Sequence, residues 1–437
     1  MSRFFLLLGL FLSVATGLPA APGGPNVLLI ISDDQAWTDY GFMGHPAIET
    51  PRLDRLAGES LTYTRGYVAA PLCRPSLASI MLGLHPHQHG ITGNDPTLPT
   101  KGKRGMAGRK DPAFAGIYET MMHRIEEHPT IAGLLGKRGY LSFQTGKWWE
   151  GNHKRGGFTH GMTHGDPTRG GRHGDKGLEI SRQGHEPIVE FLDLAKKDDK
   201  PFFIWHAPFL PHTPHNPPEE LFKKYQAKTD SAHVARYWAM CEWFDRTCGE
   251  LLDLLDDRGL RENTVVLYVT DNGWIQQPDS KRFAARSKQS PYEGGIRTPI
   301  MIRWPGKVEP RRDDATLASA IDLAPTILRA CGAPVPESMP GLDLRDTAAL
   351  GKRNAIFGAA YAHDVADVNE FTRSLNTRYI VHGDWKLLVP NEKNLPGAKV
   401  ELYNLQSDPH ETRNLAAKHP GKVTDLTTRL DAWWPGS

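Results

Sequence analysis

The chain is poor in cysteine, with only Cys73, Cys241, Cys248 and Cys331 in 437 residues. Cys241 and Cys248 lie seven apart in an apparent helix, about 10 Å along its axis, too far for a disulfide. A chain of this length also builds a core without such staples. Disulfides are therefore not expected, and Cys73 is left free. Long apolar runs are scarce as well. Phe4 to Val14 is the longest, broken by Gly9 and Ser13, whereas a membrane span needs roughly 20 apolar residues. Arg3 precedes it and small residues follow, so residues 1–21 read as a secretory signal peptide and the protein as exported, periplasmic or secreted. An excess of either charge is missing too. Lys and Arg number 52 against 50 Asp and Glu, which gives no bulk attraction for nucleic acid and no acidic tail. No internal repeat is visible.

Histidine, by contrast, is plentiful: nineteen residues, clustered at His85, His87 and His89 and at His206, His212 and His215. Such clusters raise the expectation of metal or anion chemistry. Up to about residue 345, short apolar runs alternate with helical patterns. Asn26 to Ser32, Leu61 to Tyr67, Leu141 to Gln144, Pro201 to His206, Thr264 to Thr270 and Ile300 to Trp304 read as strands, most of them apolar throughout. The alternation predicts an α/β fold, a large mainly parallel sheet sandwiched by helices, over residues 22–345. From 346 to 437 short strands and one last helix, roughly Lys422 to Ala432, predict a small α+β subdomain with an antiparallel sheet. Gly90 to His128 and His153 to Lys176 read as long Gly- and Arg-rich loops, the first with a helix near Tyr118 to Glu127.

Several strand ends carry chemistry, and in open α/β sheets that edge is where ligands bind. Asp33 and Asp34 follow the first strand, Asp271 and Asn272 the Thr264 strand, Lys147 the Leu141 strand, and His212 lies in a proline-rich loop after the Pro201 strand. Lys288 precedes Tyr292-Glu293-Gly294-Gly295. Cys73 falls at the start of a helical run with Pro75 in its first turn, where the positive end of the dipole favours an anion. On these grounds alone Cys73 is a nucleophile, a modified residue or a small buried one. The four oxygen-bearing side chains at the strand ends suit a hard divalent cation such as Ca²⁺. With two lysines and a histidine beside them, they suit a pocket for an oxyanion ester.

The motifs DDQ at 33–35, C-x-P-S at 73–76, TGKW at 145–148, APFLPHTPH at 207–215, TDNG at 270–273, YEGGIR at 292–297 and LYNL-x-x-DP-x-E-x-x-NLA near the C-terminus resemble, in joint order and spacing, the type I sulfatases of the alkaline phosphatase superfamily. The resemblance covers nearly the whole chain after the leader. It implies a sulfuric ester hydrolase acting on a sulfated polysaccharide or oligosaccharide. It implies that a maturation enzyme oxidises Cys73 to formylglycine (3-oxoalanine), whose hydrate attacks sulfur and later expels sulfate. It further implies that Asp33, Asp34, Asp271 and Asn272, with residue 73, bind Ca²⁺. Lys147 and Lys288 would hold the sulfate, and His212 would protonate the leaving oxygen. Two departures stand out. Leu77 replaces the arginine of C-x-P-S-R, and Trp149 replaces the histidine of K-W-H, for which Glu150 or His153 are the nearby substitutes. A phosphoester or phosphonate hydrolase of the same superfamily, working through formylglycine or the Cys73 thiolate, is a second reading. A degenerate sulfated-glycan-binding protein is a third.

Overall fold

Strands that are apolar throughout bury both faces, and their alternating side chains divide between two cores. Val27, Leu29 and Ile31 pack into one apolar cluster with Val265, Leu267 and Val269, while Leu28, Ile30, Val266 and Tyr268 enter the other. A computed structural model, which describes residues 23–98, 103–104, 112–165 and 171–436, shows what this produces. A nine-stranded sheet has Asn26–Ser32 near its centre, flanked by Thr264–Thr270 on one side and Phe202–Ala207 on the other. Leu141–Gly146 lies beyond Phe202–Ala207, and all four of these strands run parallel. Arg297–Arg303 runs antiparallel to Thr264–Thr270 and to Leu61–Tyr67. The expected mainly parallel sheet is thus present, with one reversed strand inserted. The proposed signal peptide lies outside the described residues, and no helix within them is long and apolar enough to cross a membrane.

The reversal matters for the site. Because Arg297–Arg303 runs backwards, it starts at the edge where its neighbours end. Lys288 and the Glu293–Ile296 turn therefore arrive at the same edge as Asp33, Lys147, His212 and Asp271. Leu61–Tyr67 ends there too and leads into the helix Cys73–Leu82, whose residues are all buried. Gly83 closes that helix with φ 64°, the left-handed cap that glycine adopts without penalty.

Beyond residue 354 the chain forms a four-stranded antiparallel sheet, Ala355–Tyr361, Leu375–His382, Trp385–Pro390 and Glu401–Asn404. Helix Pro420–Trp433 covers it through Leu426 and Leu430. The segment read as a long loop after Gly90 is more structured than expected. It holds the short strand Asp95–Leu98 and a helix, Pro112–His123, that begins before the expected Tyr118. Helix Glu219–Gln226 went unforeseen among prolines and charges. The four cysteines are free, as expected, and each is buried.

Candidate active site

All eight residues singled out from the sequence converge at this edge. Asp33 extends the first strand by one bridge, its N–H donating to Leu210 O at 2.9 Å. Asp34 then turns left-handed, φ 65°, a conformation costing of order 1–3 kcal/mol that persists where its surroundings hold it. Its N–H donates to Asp271 Oδ1 at 3.1 Å, and Asn272 Nδ2 donates to Asp34 Oδ1 at 2.7 Å. Lys147 Nζ donates to both oxygens of Asp33 at 2.7 and 2.8 Å, and lies 3.8 Å from Asp271 Oδ2. Lys288 Nζ donates to both oxygens of Asp34 at 2.6 and 2.7 Å. His212 Nε2 sits 3.3 Å from Asp34 Oδ2. Cys73 is the first residue of its helix, and one ligand atom each from Asp33, Asp34, Cys73 and His212 lie within 4.8 Å of one another. Gly146 makes the Lys147 approach possible. Its φ is 75°, and any Cβ there would collide with Ala207 O.

Burial dominates the electrostatics. It raises Asp33 well above the usual carboxylate range, against the pull of Lys147, and raises Asp271 as well. For the two lysines burial works against the charge, but the surrounding carboxylates, led by Asp33 for Lys147 and Asp34 for Lys288, outweigh it and hold both ammoniums above their ordinary values. Burial, then Lys147 and Lys288, hold His212 well below the imidazole range. The Cys73 thiol is pushed up to about 11 by burial, which the two lysines only partly offset.

The acids fit a metal ion. Asp271 Oδ2 and Asn272 Oδ1 are buried with no hydrogen-bond partner. An orphaned buried acceptor costs about 1–3 kcal/mol, and two of them beside the carboxylates of Asp33 and Asp34 form an oxygen donor set for a hard divalent cation.

The two departures have local explanations. Leu77 packs in the core, 4% exposed. A guanidinium appears one turn earlier instead: Arg74, fully buried, donates through Nε and Nη2 to Glu150 Oε1 and Oε2 at 2.9 and 2.6 Å. Both Glu150 oxygens are thereby engaged, so Glu150 is not a free base. The His153 ring packs against Gly161 and places Nδ1 3.1 Å from Thr163 O. Of the two substitutes suggested by the sequence, Glu150 presents no free base. The imidazole found beside Trp149 is His173, 5.0 Å from its ring and 5.5 Å from Phe209, which stacks on His212 at 4.2 Å. His173, Arg172 and Asp95 were missed because they lie in segments without hydrophobic pattern. Two long loops rich in glycine and arginine were their only signal.

The carboxyl edge of an α/β sheet that gathers acids, lysines and a cysteine defines a hydrolase of oxyanion esters. Residues 25–333 match the Sulfatase family model and residues 283–432 the model for the C-terminal region of N-sulphoglucosamine sulphohydrolase. The chain belongs to the sulfatase family of the alkaline phosphatase superfamily. It is 27% identical to human arylsulfatase A, over 96% of this chain and 89% of that protein. It is 28% identical to human N-acetylgalactosamine-6-sulfatase, over 77% and 68%. Its fold superposes on the crystal structure of Ps i-CgsB in complex with k-i-k-neocarrahexaose with a TM-score of 0.74, at 23% identity, covering 95% of this chain and 94% of that one. It superposes on BT4656 in complex with D-glucosamine-2-N,6-O-disulfate with a TM-score of 0.68, at 19% identity, over 94% and 98%.

Proposed function

We propose that this protein is an exported, Ca²⁺- and formylglycine-dependent sulfatase that removes sulfate from a sulfated polysaccharide or oligosaccharide. Residues 22–345 are its catalytic unit and 346–437 a subdomain packed on it. The carrying observation is the convergence of Cys73, Lys147, Lys288 and His212 on the Asp33, Asp34, Asp271 and Asn272 cluster. Asp33, Asp34, Asp271 and Asn272 would hold Ca²⁺, which supplies a positive charge against the nucleophile and the sulfuryl oxygens. Converted by a maturation enzyme to formylglycine, residue 73 supplies a hydrated aldehyde with one hydroxyl for attack and one for expelling sulfate.

The chain's own side chains do the rest. Lys147 and Lys288, buried and charged, clamp the non-bridging oxygens and favour the trigonal charge of the transition state. Their preference for a bound anion releases them from Asp33 and Asp34. His212 is the proton donor to the leaving sugar oxygen: the anionic ester offsets the two lysines that, after burial, hold its ring neutral.

The test is mass spectrometry of the tryptic peptide carrying Cys73, isolated from the native host, together with sulfate release from aryl and glycan sulfates. The expected result is the aldehyde form at residue 73, with sulfate release that chelation abolishes and Ca²⁺ restores. An unmodified thiol with no release at any pH would overturn the reading.

A further inference from the structure

Near the start of the Cys73 helix lies a second polar cluster that the chemistry above does not use. Asp95 opens the strand Asp95–Leu98, which pairs in parallel with Asp364–Val365 of the C-terminal part, Asp95 opposite Asp364. Arg172 comes from the loop on the far side and forms a two-point ion pair with Asp95, Nε to Oδ1 at 2.9 Å and Nη2 to Oδ2. His363 Nδ1 lies 2.6 Å from Asp364 Oδ1. One ligand atom each of Asp95, His363 and Asp364 fall within 4.8 Å of one another.

Two connections place this cluster beside the nucleophile. Asn94 accepts the backbone N–H of Arg74, next to Cys73, at 3.0 Å, and its Nδ2 is 3.3 Å from His363 Nε2. On the other side the Arg172 guanidinium lies 4.4 Å from the centre of the Trp149 ring, which Lys147 Nζ approaches at 6.0 Å. Exposure grades outward. The side chain of Asp95 is 2% exposed, Arg172 17%, Asp364 15% and His363 39%. Asp95 is thus a buried foot under a partly open rim of Arg172, Asp364 and His363, rather than part of a solvated charge patch.

We propose that Asp364 and His363, held on the Arg172–Asp95 pair, read the free hydroxyls of the sugar ring next to the sulfate ester. Sugar hydroxyls both donate and accept. They match a rim that offers a carboxylate acceptor at Asp364, an imidazole at His363 and a planar guanidinium stacked on an aromatic face. Two carboxylates stand here against one permanent cation, in contrast to the lysine-rich sulfate clamp. A second sulfate or a uronic carboxylate on this side meets like charge and loses affinity. The substrate is therefore a glycan unit whose hydroxyl neighbouring the scissile ester is unsubstituted. This rests on the sulfatase reading and adds the selectivity to it.

The test compares Asp364→Asn and His363→Gln with the unaltered enzyme. The substrates are monosulfated galactose and glucosamine, their disulfated counterparts and para-nitrophenyl sulfate, which has no ring hydroxyls. Losing a charged hydrogen bond should cut the ratio of kcat/KM on the sugar monosulfates to that on the aryl sulfate about ten- to hundred-fold, mainly through KM. Asp364→Asn should also narrow the preference for mono- over disulfated sugar. Calorimetric titration with the same monosulfates, with Cys73→Ala added to each protein to stop turnover, gives the affinity independently, and the Asp364 and His363 variants should bind about ten-fold or more weakly. Equal losses on sugar and aryl substrates, or no loss in rate ratio or affinity, would overturn the proposal. Absence of sulfate release from every substrate by the unaltered enzyme would instead overturn the sulfatase reading, and the titration still decides the subsite.

Discussion

Arg74 is fully buried, and Glu150 is the group that makes its charge tolerable. Breaking one half of a buried pair leaves an uncompensated ion and costs about 3–5 kcal/mol. Glu150→Gln is therefore expected to lower the unfolding free energy by about that amount in a denaturant titration, and Arg74→Met added to it should recover most of the loss. A catalytic base at Glu150 would give the opposite pattern, with stability kept and turnover lost. The pair also shows what was legible residue by residue. The acids, Lys147, His212 and Lys288 sit next to apolar strands or within short fixed motifs, so spacing alone marked them. Arg74 sits inside the marked motif at a position with no assigned role, and its partner is 76 residues away. Asp95, Arg172, His363 and Asp364 come from three unpatterned segments, and only the fold brings them together.

At the scale of elements, strands with apolar side chains on both faces were readable because burial is written continuously along them. Direction was not, since an apolar run reads the same whichever way the chain travels, and the reversal of Arg297–Arg303 had no signal. That reversal hangs the Glu293–Ile296 turn against the C-terminal sheet through a buried triad. Lys386 Nζ, wholly buried, lies 3.0 Å from Glu293 Oε1 and 2.9 Å from Glu411 Oε1. Glu411 Oε2 accepts the Glu293 N–H at 2.6 Å. Burial raises Glu411 above its ordinary range, opposed chiefly by Lys386. Lys386→Met leaves two buried carboxylates facing each other, and should cost about 3–5 kcal/mol in urea unfolding. Adding Glu411→Gln should return part of it. Unchanged stability in the single variant would mean that the triad does not hold the turn. Gly295 O accepts the Gly273 N–H at 2.9 Å, one residue from Asn272, so the same variant should also weaken the Ca²⁺ binding proposed above.

Over the whole molecule, the C-terminal helix docks on the α/β body through rings. His87 stacks on Trp434 at 4.5 Å and an interplanar angle of 6°, and His85 meets Trp433 edge-on at 5.0 Å. Both imidazoles have Nδ1 buried without a partner. Burial lowers His85 to about 3, with His87 and Arg353 adding to it, and lowers His87 to about 4. Both folded-state values lie below the unfolded value near 6.5, so the unfolded chain binds more protons as pH falls below it. The contribution is thus fully present above about pH 6.5 and is lost toward pH 4 for His87 and toward pH 3 for His85. Each histidine can remove up to about 1.4 kcal/mol per pH unit in that window. His89 and His206, lowered by burial as well, add a common background. His87→Phe keeps the stack on Trp434 and removes one titrating group. The melting temperature of this variant should therefore fall less between pH 7 and pH 5 than that of the unaltered protein, by the equivalent of about 1–2 kcal/mol. Parallel pH profiles for the two proteins would show that the ring contact does not carry this dependence.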